Sequence, residues 1–213
     1  MRISLSRSVS VLSLLSVVLA GLLVLSALPQ HAAPPAPATG IILVEFDSGQ
    51  CTVHWTLGTT LHTVHGTFAL EKGAVQLDPT TGKASGEIVV HATSGDSGND
   101  SRDRKMHKEV LESGRYPEIV FRPDRFEGKL AQEGPSSLQV HGTFLLHGAK
   151  HEMTVSVQGE LSGDRWTGRA KFGIPFIDWG LKNPSSFFLK VNHTVDIDLE
   201  LQGKLQIMAA PQA

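Results

Sequence analysis

The 213-residue sequence lacks what several classes of protein require. Its single cysteine, Cys51, excludes an intrachain disulfide and any cysteine-cluster zinc or iron–sulfur site. It has 19 basic and 21 acidic residues, whereas a nucleic-acid-binding domain would carry a basic excess. It has no G-x-S-x-G, no H-E-x-x-H and no glycine-rich phosphate loop between a strand and a helix. No nucleic-acid partner is therefore expected, and no catalytic residue is identified.

The N-terminus has the pattern of an export signal. Arg2 and Arg7 precede an uncharged run rich in leucine and valine over 9–28, and small residues and prolines follow. This is the layout of a secretory signal peptide, but about 20 apolar residues could also remain as an uncleaved anchor. Both alternatives place the rest of the chain in the periplasm or outside the cell.

The sequence is accordingly divided into three parts. Residues 1–38 are a signal peptide or N-terminal anchor with a Pro/Ala linker. Residues 39–205 are a folded domain, and residues 206–213 are a C-terminal tail.

The folded part alternates between apolar and polar side chains over many short segments. Alternation is clear at 51–57, 64–70, 140–146 and 195–201, and a period of two indicates strands with one buried face. Turn signals separate the segments at 71–73, 78–83, 126–128, 146–148 and 162–164. Short connections favour hairpins, and about eight strands without a second domain favour closure. The predicted fold class is an all-β, antiparallel closed barrel.

One segment between the strands has helical spacing instead. Met106, Val110 and Leu111 fall on one face of the segment 100–114, and a polar side chain at 100–101 can cap its start. In an otherwise all-β chain, a short α-helix of this kind is expected near the barrel mouth, as a lid.

The remaining polar groups are interpreted as structural. The ten histidines are dispersed, and the acidic loop at 96–103 lacks the spacing of an EF-hand. Asp103, flanked by Arg102 and Arg104, is expected to order the junction of loop and helix. Cys51 lies on an apolar strand face and is expected to be buried. No metal site is predicted.

Four stretches carry motifs in a fixed order. They are an early strand at 61–68, a serine-rich loop leading into a helix at 94–107, a Y-P-x-I-x-F strand at 116–121 and a glycine hairpin at 140–148. In this order and spacing they resemble the YceI-like family of exported proteins that bind lipids and polyisoprenoids. The resemblance extends from about residue 46 to residue 203.

The sequence departs from the family pattern in one segment, and one further stretch, 179–188, occurs in some family members without a known role. In the segment 102–107, an apolar residue that is usual in the family is replaced.

The resemblance implies a lipocalin-like barrel that encloses a long amphiphile such as a polyisoprenoid, a quinone or a fatty acyl chain. It implies no enzymatic activity and no cofactor apart from this ligand. Burial of a tail supplies about 0.8 kcal/mol per CH₂. The expected lumen residues, for which ordinary core packing is the alternative, are Phe68, Leu70, Ile88, Val90, Met106, Val110, Leu111, Phe121, Phe144 and Phe172. Arg102, Asp103 and His107 are expected at the mouth, near a polar head group.

Three functions from different classes remain open at this point. The first is storage or transport of an amphiphile in the periplasm, with membrane contact for loading and a homodimer as open questions. The second is a histidine-dependent protein with a metal- or haem-linked redox or hydrolytic activity. The third is a barrel that its own side chains fill, serving as a scaffold.

Overall fold

The period-two alternation becomes nine antiparallel strands in the computed structural model, which describes residues 40–208. The strands are β1 (Ile41–Phe46), β2 (Thr52–Gly58), β3 (Thr63–Asp78), β4 (Lys83–Asp96), β5 (Glu118–Lys129), β6 (Gly134–Leu146), β7 (Ala149–Ser162), β8 (Arg165–Ile174) and β9 (Val195–Met208). Their order is β1-β3-β2-β9-β8-β7-β6-β5-β4, and pairing of β3 with β4 closes the sheet. The predicted closed, antiparallel, all-β barrel is confirmed.

Strands β1 and β2 share one position in the barrel, which reconciles nine strands with about eight. Strand β1 pairs with residues 74–77 of β3, and β2 pairs with residues 63–68 of the same strand. Both also pair with β9, at 203–208 and 196–200 respectively. A 3₁₀ turn at Ser48–Gln50 separates them, so the two short strands together span the wall as one interrupted strand.

Two of the predicted turns are wrong, because β3 and β5 run through 71–73 and 126–128 without reversing. The glycines that gave these signals serve close packing. A Cβ atom on Gly73 would lie 2.7 Å from the ring of Phe46. A Cβ atom on Gly128 would lie 2.3 Å from the carbonyl oxygen of Ser137. The other three signals coincide with strand ends, and those turns are confirmed.

Helix α1 (Asp100–Lys105) lies between β4 and β5 and continues as a π-helical turn at Met106–Val110. Its cap is Asn99, whose side chain accepts a hydrogen bond from the Arg102 N–H at 3.0 Å. The predicted cap at 100–101 is therefore wrong by one position, since Asn99 already supplies the extended backbone that a cap needs. Within residues 40–208, no helix is long and apolar enough to cross a membrane.

The antiparallel order sorts the connections onto two ends of the barrel. The connections at 59–62, 97–117, 147–148 and 175–194 lie at one end, here called the open end. The short turns at 79–82, 130–133 and 163–164 lie at the other, here called the closed end.

Large apolar side chains fill the closed end. Leu77, Phe126, Leu138, Leu161, Trp166 and Leu205 belong to one buried cluster there. The Trp166 ring occupies space left by Gly159 on β7 and Gly168 on β8, where a Cβ atom would collide with it. Strand β9 runs to Met208, so residues 206–208 belong to the barrel and not to the predicted tail. The predicted signal or anchor at 1–38 and the end of the tail lie outside the described residues.

Candidate functional site

The interior of the barrel contains two cavities. The first, the deep chamber, measures about 150 Å³ and is lined by aliphatic and aromatic side chains, by Ala170 and by Pro123. The second, the outer chamber, measures about 450 Å³ and lies at the open end. The larger volume falls within the range of about 300–1,000 Å³ that is typical of ligand pockets. The interior is therefore not filled by the protein's own side chains.

The two chambers adjoin. They share Phe68 on β3, Ile119 on β5, Ile174 on β8 and Ile197 on β9, which are here called the neck. All four are apolar, and the deep chamber beyond them is lined by apolar residues, so an extended hydrocarbon tail that passed the neck would meet no charged side chain there.

The structure places nine of the ten predicted lumen residues in chamber walls. Those in the wall of the deep chamber are Phe68, Ile88, Val90, Phe121, Phe144 and Phe172, and those in the wall of the outer chamber are Met106, Val110 and Leu111, with Phe68 in both. Leu70 lines neither chamber and packs in the buried cluster at 4% exposure. That the nine contact a ligand stays a prediction.

Burial itself distinguishes a hollow from a packed core. Ile88, Val90, Phe121 and Phe172 face the interior, yet each is only half-buried. A close-packed core leaves few voids larger than a water molecule. These side chains therefore border free space. Trp166, at 5% exposure, lines the same chamber from the closed end.

Polar side chains gather at the rim of the outer chamber. Those that line it are Thr59, His62, Asn99, Ser101, Arg102 and Lys105. Apart from these, its wall is formed by apolar residues of the strands, of the segment 106–111 that follows α1 and of the connection 175–194. The cavity lining thus changes from polar at the open end to wholly apolar in the deep chamber. An amphiphile changes in the same way, from a polar head group to an apolar tail.

A hydrogen-bonded clamp joins the loop after β4 to α1. Arg102 donates from Nε to Ser97 Oγ at 2.7 Å and from Nη2 to the Ser97 carbonyl at 2.8 Å. Asp103 accepts from the Ser97 N–H at 3.1 Å and from Ser97 Oγ. Burial would raise the pKa of Asp103, but the Ser97 hydrogen bonds outweigh it and hold the pKa below its usual range. The predicted ordering of this junction by Asp103 is confirmed.

His107 performs a similar task further along the helix. Its Nε2 lies 2.9 Å from the Gly95 carbonyl, and its Nδ1 lies 3.0 Å from Ser113 Oγ. Of the three predicted mouth residues, only Arg102 lines the outer chamber, while Asp103 and His107 anchor the helix to neighbouring segments. Contact of any of the three with a head group stays a prediction.

The connection 175–194 supplies a part of the site that sequence reasoning missed. Its side chains in the outer chamber are Phe176, Leu181, Pro184, Leu189 and Val191. Two lysines tie it to the helix: Lys182 Nζ lies 2.7 Å from Glu109 Oε2, and Lys105 Nζ donates to the Pro184 carbonyl at 3.1 Å. The segment has no strand or helix periodicity, and only its density of apolar residues could have indicated a role.

Cys51 is buried at 7% exposure, as predicted. Its thiol donates to the Gln202 carbonyl at 3.4 Å, and burial raises its pKa. A buried thiol of raised pKa is a poor nucleophile, so Cys51 contributes packing between β9 and the start of β2.

Within residues 40–208, one group of three potential metal ligands comes together: Asp124, His141 and Glu152, on the outer face. Asp124 Oδ1 lies 2.9 Å from His141 Nδ1, and Glu152 Oε2 lies 3.4 Å from His141 Nε2. Arg125 also pairs with Asp124 at 3.2 Å. Because the two carboxylates lie against opposite ring nitrogens, the three side chains form a ladder of polar contacts across β5, β6 and β7.

Comparisons with known proteins agree with this architecture. The profile of the YceI-like domain family matches residues 45–203. The structure of BcnA from Burkholderia cenocepacia is 17% identical, with a TM-score of 0.59, over 74% of this chain and 98% of that one. A polyisoprenoid binding domain from Saccharophagus degradans, implicated in plant cell wall breakdown, is 16% identical, with a TM-score of 0.56, over 76% and 98%.

A YceI protein from Campylobacter jejuni is 13% identical, with a TM-score of 0.51, over 62% of this chain and 79% of that one. At such identities the likeness to solved structures shows the fold. No curated protein matches the sequence.

Proposed function

The chain belongs to the YceI-like domain family, and from this membership and its hollow interior we propose that it binds a long-chain amphiphile without catalysing a reaction. The tail lies in the deep chamber and the neck, and the polar head lies among the rim residues of the outer chamber. Lipids with a polyisoprenoid, quinone or fatty acyl chain have this shape.

The observation that carries the proposal is the polarity gradient along the cavity. Every residue that lines the deep chamber is apolar, whereas Arg102, Lys105 and His62 lie at the outer chamber. Each methylene removed from water contributes about 0.8 kcal/mol, so a tail in this interior needs no polar contact for affinity. The polar rim then fixes which end of the ligand enters last.

Two further facts support a lipid as the ligand. The Saccharophagus degradans domain that shares this fold is named for polyisoprenoid binding. The cationic rim residues Arg102 and Lys105 suit a phosphate or carboxylate head group.

The place of action follows from the export pattern before residue 39. We place the domain in the periplasm or outside the cell, where it stores or transports the amphiphile and loads it at a membrane. The ligand enters and leaves through the open end, because the closed end is packed.

Native mass spectrometry of the domain from residue 39 onward, purified without detergent, tests the proposal. We expect a species heavier than the polypeptide by the mass of one lipid, which organic extraction removes. A stoichiometric metal that a chelator removes, with no lipid, would instead support the histidine-dependent alternative. Two matched variants on β9 test the path of the tail. Ile197→Phe in the neck should lower the lipid-bound fraction, whereas Ile207→Phe at the solvent-exposed end of the strand should leave it unchanged.

A further inference from the structure

Two tight turns at the open end carry exposed apolar side chains. In the β2–β3 turn, the Thr59 N–H donates to the His62 carbonyl at 3.1 Å, and Thr59 Oγ1 accepts from the Leu61 N–H at 3.2 Å. In the connection 175–194, the Ser186 N–H donates to the Leu189 carbonyl at 2.8 Å. Leu61 therefore stands at the tip of one hydrogen-bonded turn.

Phe187 and Phe188 stand at the tip of the other turn, between Ser186 and Leu189. The Leu189 N–H donates to Ser186 Oγ at 3.2 Å, which closes this turn a second time. The two phenyl rings meet edge to face, 5.0 Å apart.

The two turns are joined to each other. The Thr60 N–H donates to the Lys190 carbonyl at 3.0 Å, and Thr60 Oγ1 accepts from the Lys190 N–H at 3.3 Å. Thr59 and Val191 add a β-bridge. Leu61, Phe187 and Phe188 thus project from one cross-linked unit, here called the apolar rim, beside residues that line the outer chamber.

The exposure of the apolar rim is unusual for this molecule. Leu61 is 73% exposed, Phe187 87% and Phe188 84%. Among residues 40–208 the other large hydrophobic side chain with high exposure is Ile207, near the closed end. Grouped apolar exposure of this kind marks a surface that contacts a partner or a membrane.

Charge distinguishes the same end. The open-end connections contain seven lysines and arginines against five acids, in a chain with a net charge of −2. The closed-end turns contain two acids and no base. Lys190, next to the apolar rim, has an exposed side chain. The open-end connections thus carry an excess of two positive charges, and the exposed Lys190 beside the apolar rim complements an anionic bilayer surface.

We propose that the apolar rim docks the barrel, open end down, onto a bilayer that contains anionic lipids. Leu61, Phe187 and Phe188 enter the interfacial region, where aromatic side chains are favoured, while Lys190 lies at the level of the phosphates. The outer chamber then faces the membrane, and a lipid can pass between bilayer and barrel without crossing bulk water. Docking itself is independent of the proposed function, whereas the transfer of a lipid rests on it.

The experiment uses flotation with vesicles of phosphatidylcholine alone and of equal parts phosphatidylcholine and phosphatidylglycerol. We expect the wild-type domain to float with the anionic vesicles and less with the neutral ones. The double variant Phe187→Ser/Phe188→Ser should bind about tenfold more weakly or worse, because both side chains lose their interfacial burial. The control Ile207→Ser also removes an exposed hydrophobic residue, but near the closed end, and should bind as the wild type does.

Equal binding by the Phe187→Ser/Phe188→Ser variant and the wild type would overturn the docking surface. A second result would also overturn it: a wild-type protein that is a dimer, and a variant that is a monomer with unchanged vesicle binding. The apolar rim would then be an interface between two copies of the chain. Lys190→Glu should weaken binding to anionic vesicles more than to neutral ones, and the reverse order would contradict the orientation.

Transfer is measured separately with a fluorescent long-chain lipid, offered either in anionic vesicles or from cyclodextrin. We expect the Phe187→Ser/Phe188→Ser variant to lose uptake from vesicles and to keep uptake from cyclodextrin. Uptake from neither source by the wild type, with vesicle binding intact, would overturn the proposed function and leave the docking surface standing.

Discussion

The two ends of the barrel are built from the same nine strands but differ in how they are finished. At the closed end, connections of a few residues bring the strands together over a packed cluster that contains Trp166 and Phe126. At the open end, the segments 97–117 and 175–194 are long and arch over free volume. The closed end is tightly packed and its side chains close off the deep chamber, whereas the open end is a wall around the larger outer chamber.

An alternating strand pattern therefore does not decide between core and lumen. Leu70 and Val90 are neighbours across β3 and β4, yet Leu70 is packed and Val90 borders the deep chamber. What separates the ends is the length of the connections and the glycines at 159 and 168 that let Trp166 fill the floor. The contrast predicts that changes at the closed end reduce stability, while changes at the open end alter binding.

The largest expected effect is that of Trp166→Ala. Loss of a fully packed tryptophan at the closed end should lower the free energy of unfolding by about 3–5 kcal/mol, measured by urea denaturation. Phe187→Ala at the open end, where the side chain is 87% exposed, should change it by less than about 0.5 kcal/mol. Similar losses in the two variants would break the distinction between the ends.

The next effect is that of Ile197→Phe in the neck. A larger side chain there should keep the end of a long tail out of the deep chamber while leaving the outer chamber accessible. If about two methylenes of the tail are no longer buried, at about 0.8 kcal/mol each, the affinity for the ligand should fall roughly tenfold. Titration with fatty acids of increasing length checks this: long chains should weaken and short chains should not. An equal loss at all lengths would show that the chambers are not used in series.

A smaller effect is expected from Asp103→Asn at the clamp of the open end. Because the pKa of Asp103 is lowered in the folded state, its charged form stabilises the fold above the unfolded-state pKa of about 3.9. That contribution is lost as the pH falls through the lower folded-state pKa. The variant should melt a few degrees below the wild type at pH 7, and the difference between their melting temperatures should shrink as the pH falls below the unfolded-state pKa. A difference that persists in acid would assign the loss to packing.

The smallest effect concerns His151, which stacks on Trp179 with ring centroids 4.1 Å apart and thereby holds the connection 175–194. Burial lowers the pKa of His151. The unfolded chain therefore gains this proton first, and the stability of the fold decreases as the pH falls below the unfolded-state value of about 6.5. In His151→Phe, the melting temperature should fall less between pH 7 and pH 5 than it does in the wild type, because the group that titrates in this range is removed. An unchanged profile would assign the slope to other groups.

Much of the barrel could be predicted from the sequence because the alternation is strong and the turns at 78–83, 146–148 and 162–164 are typical. The turns predicted from the glycines at 73 and 128 were wrong. In a sequence, a glycine that leaves room for a neighbouring side chain or strand cannot be distinguished from a glycine that makes a turn. The helix was recognisable from Met106 and Val110, but its cap required backbone geometry. The connection 175–194 could not be assigned, because irregular segments acquire their positions from tertiary contacts such as that of Lys182 with Glu109.

The proposed function requires that an amphiphile lie in the cavity in one direction, with its tail in the deep chamber and its head at the open end. Photo-crosslinking with two matched lipids, one with a diazirine at the tail end and one with a diazirine near the head group, measures this direction. We expect the tail probe to label peptides from the deep chamber, around Phe144 and Trp166, and the head probe to label peptides containing Lys105 or Leu189. Labelling in the reverse order, or on the outer surface by both probes, would contradict a barrel that is sealed at one end and loaded from the other.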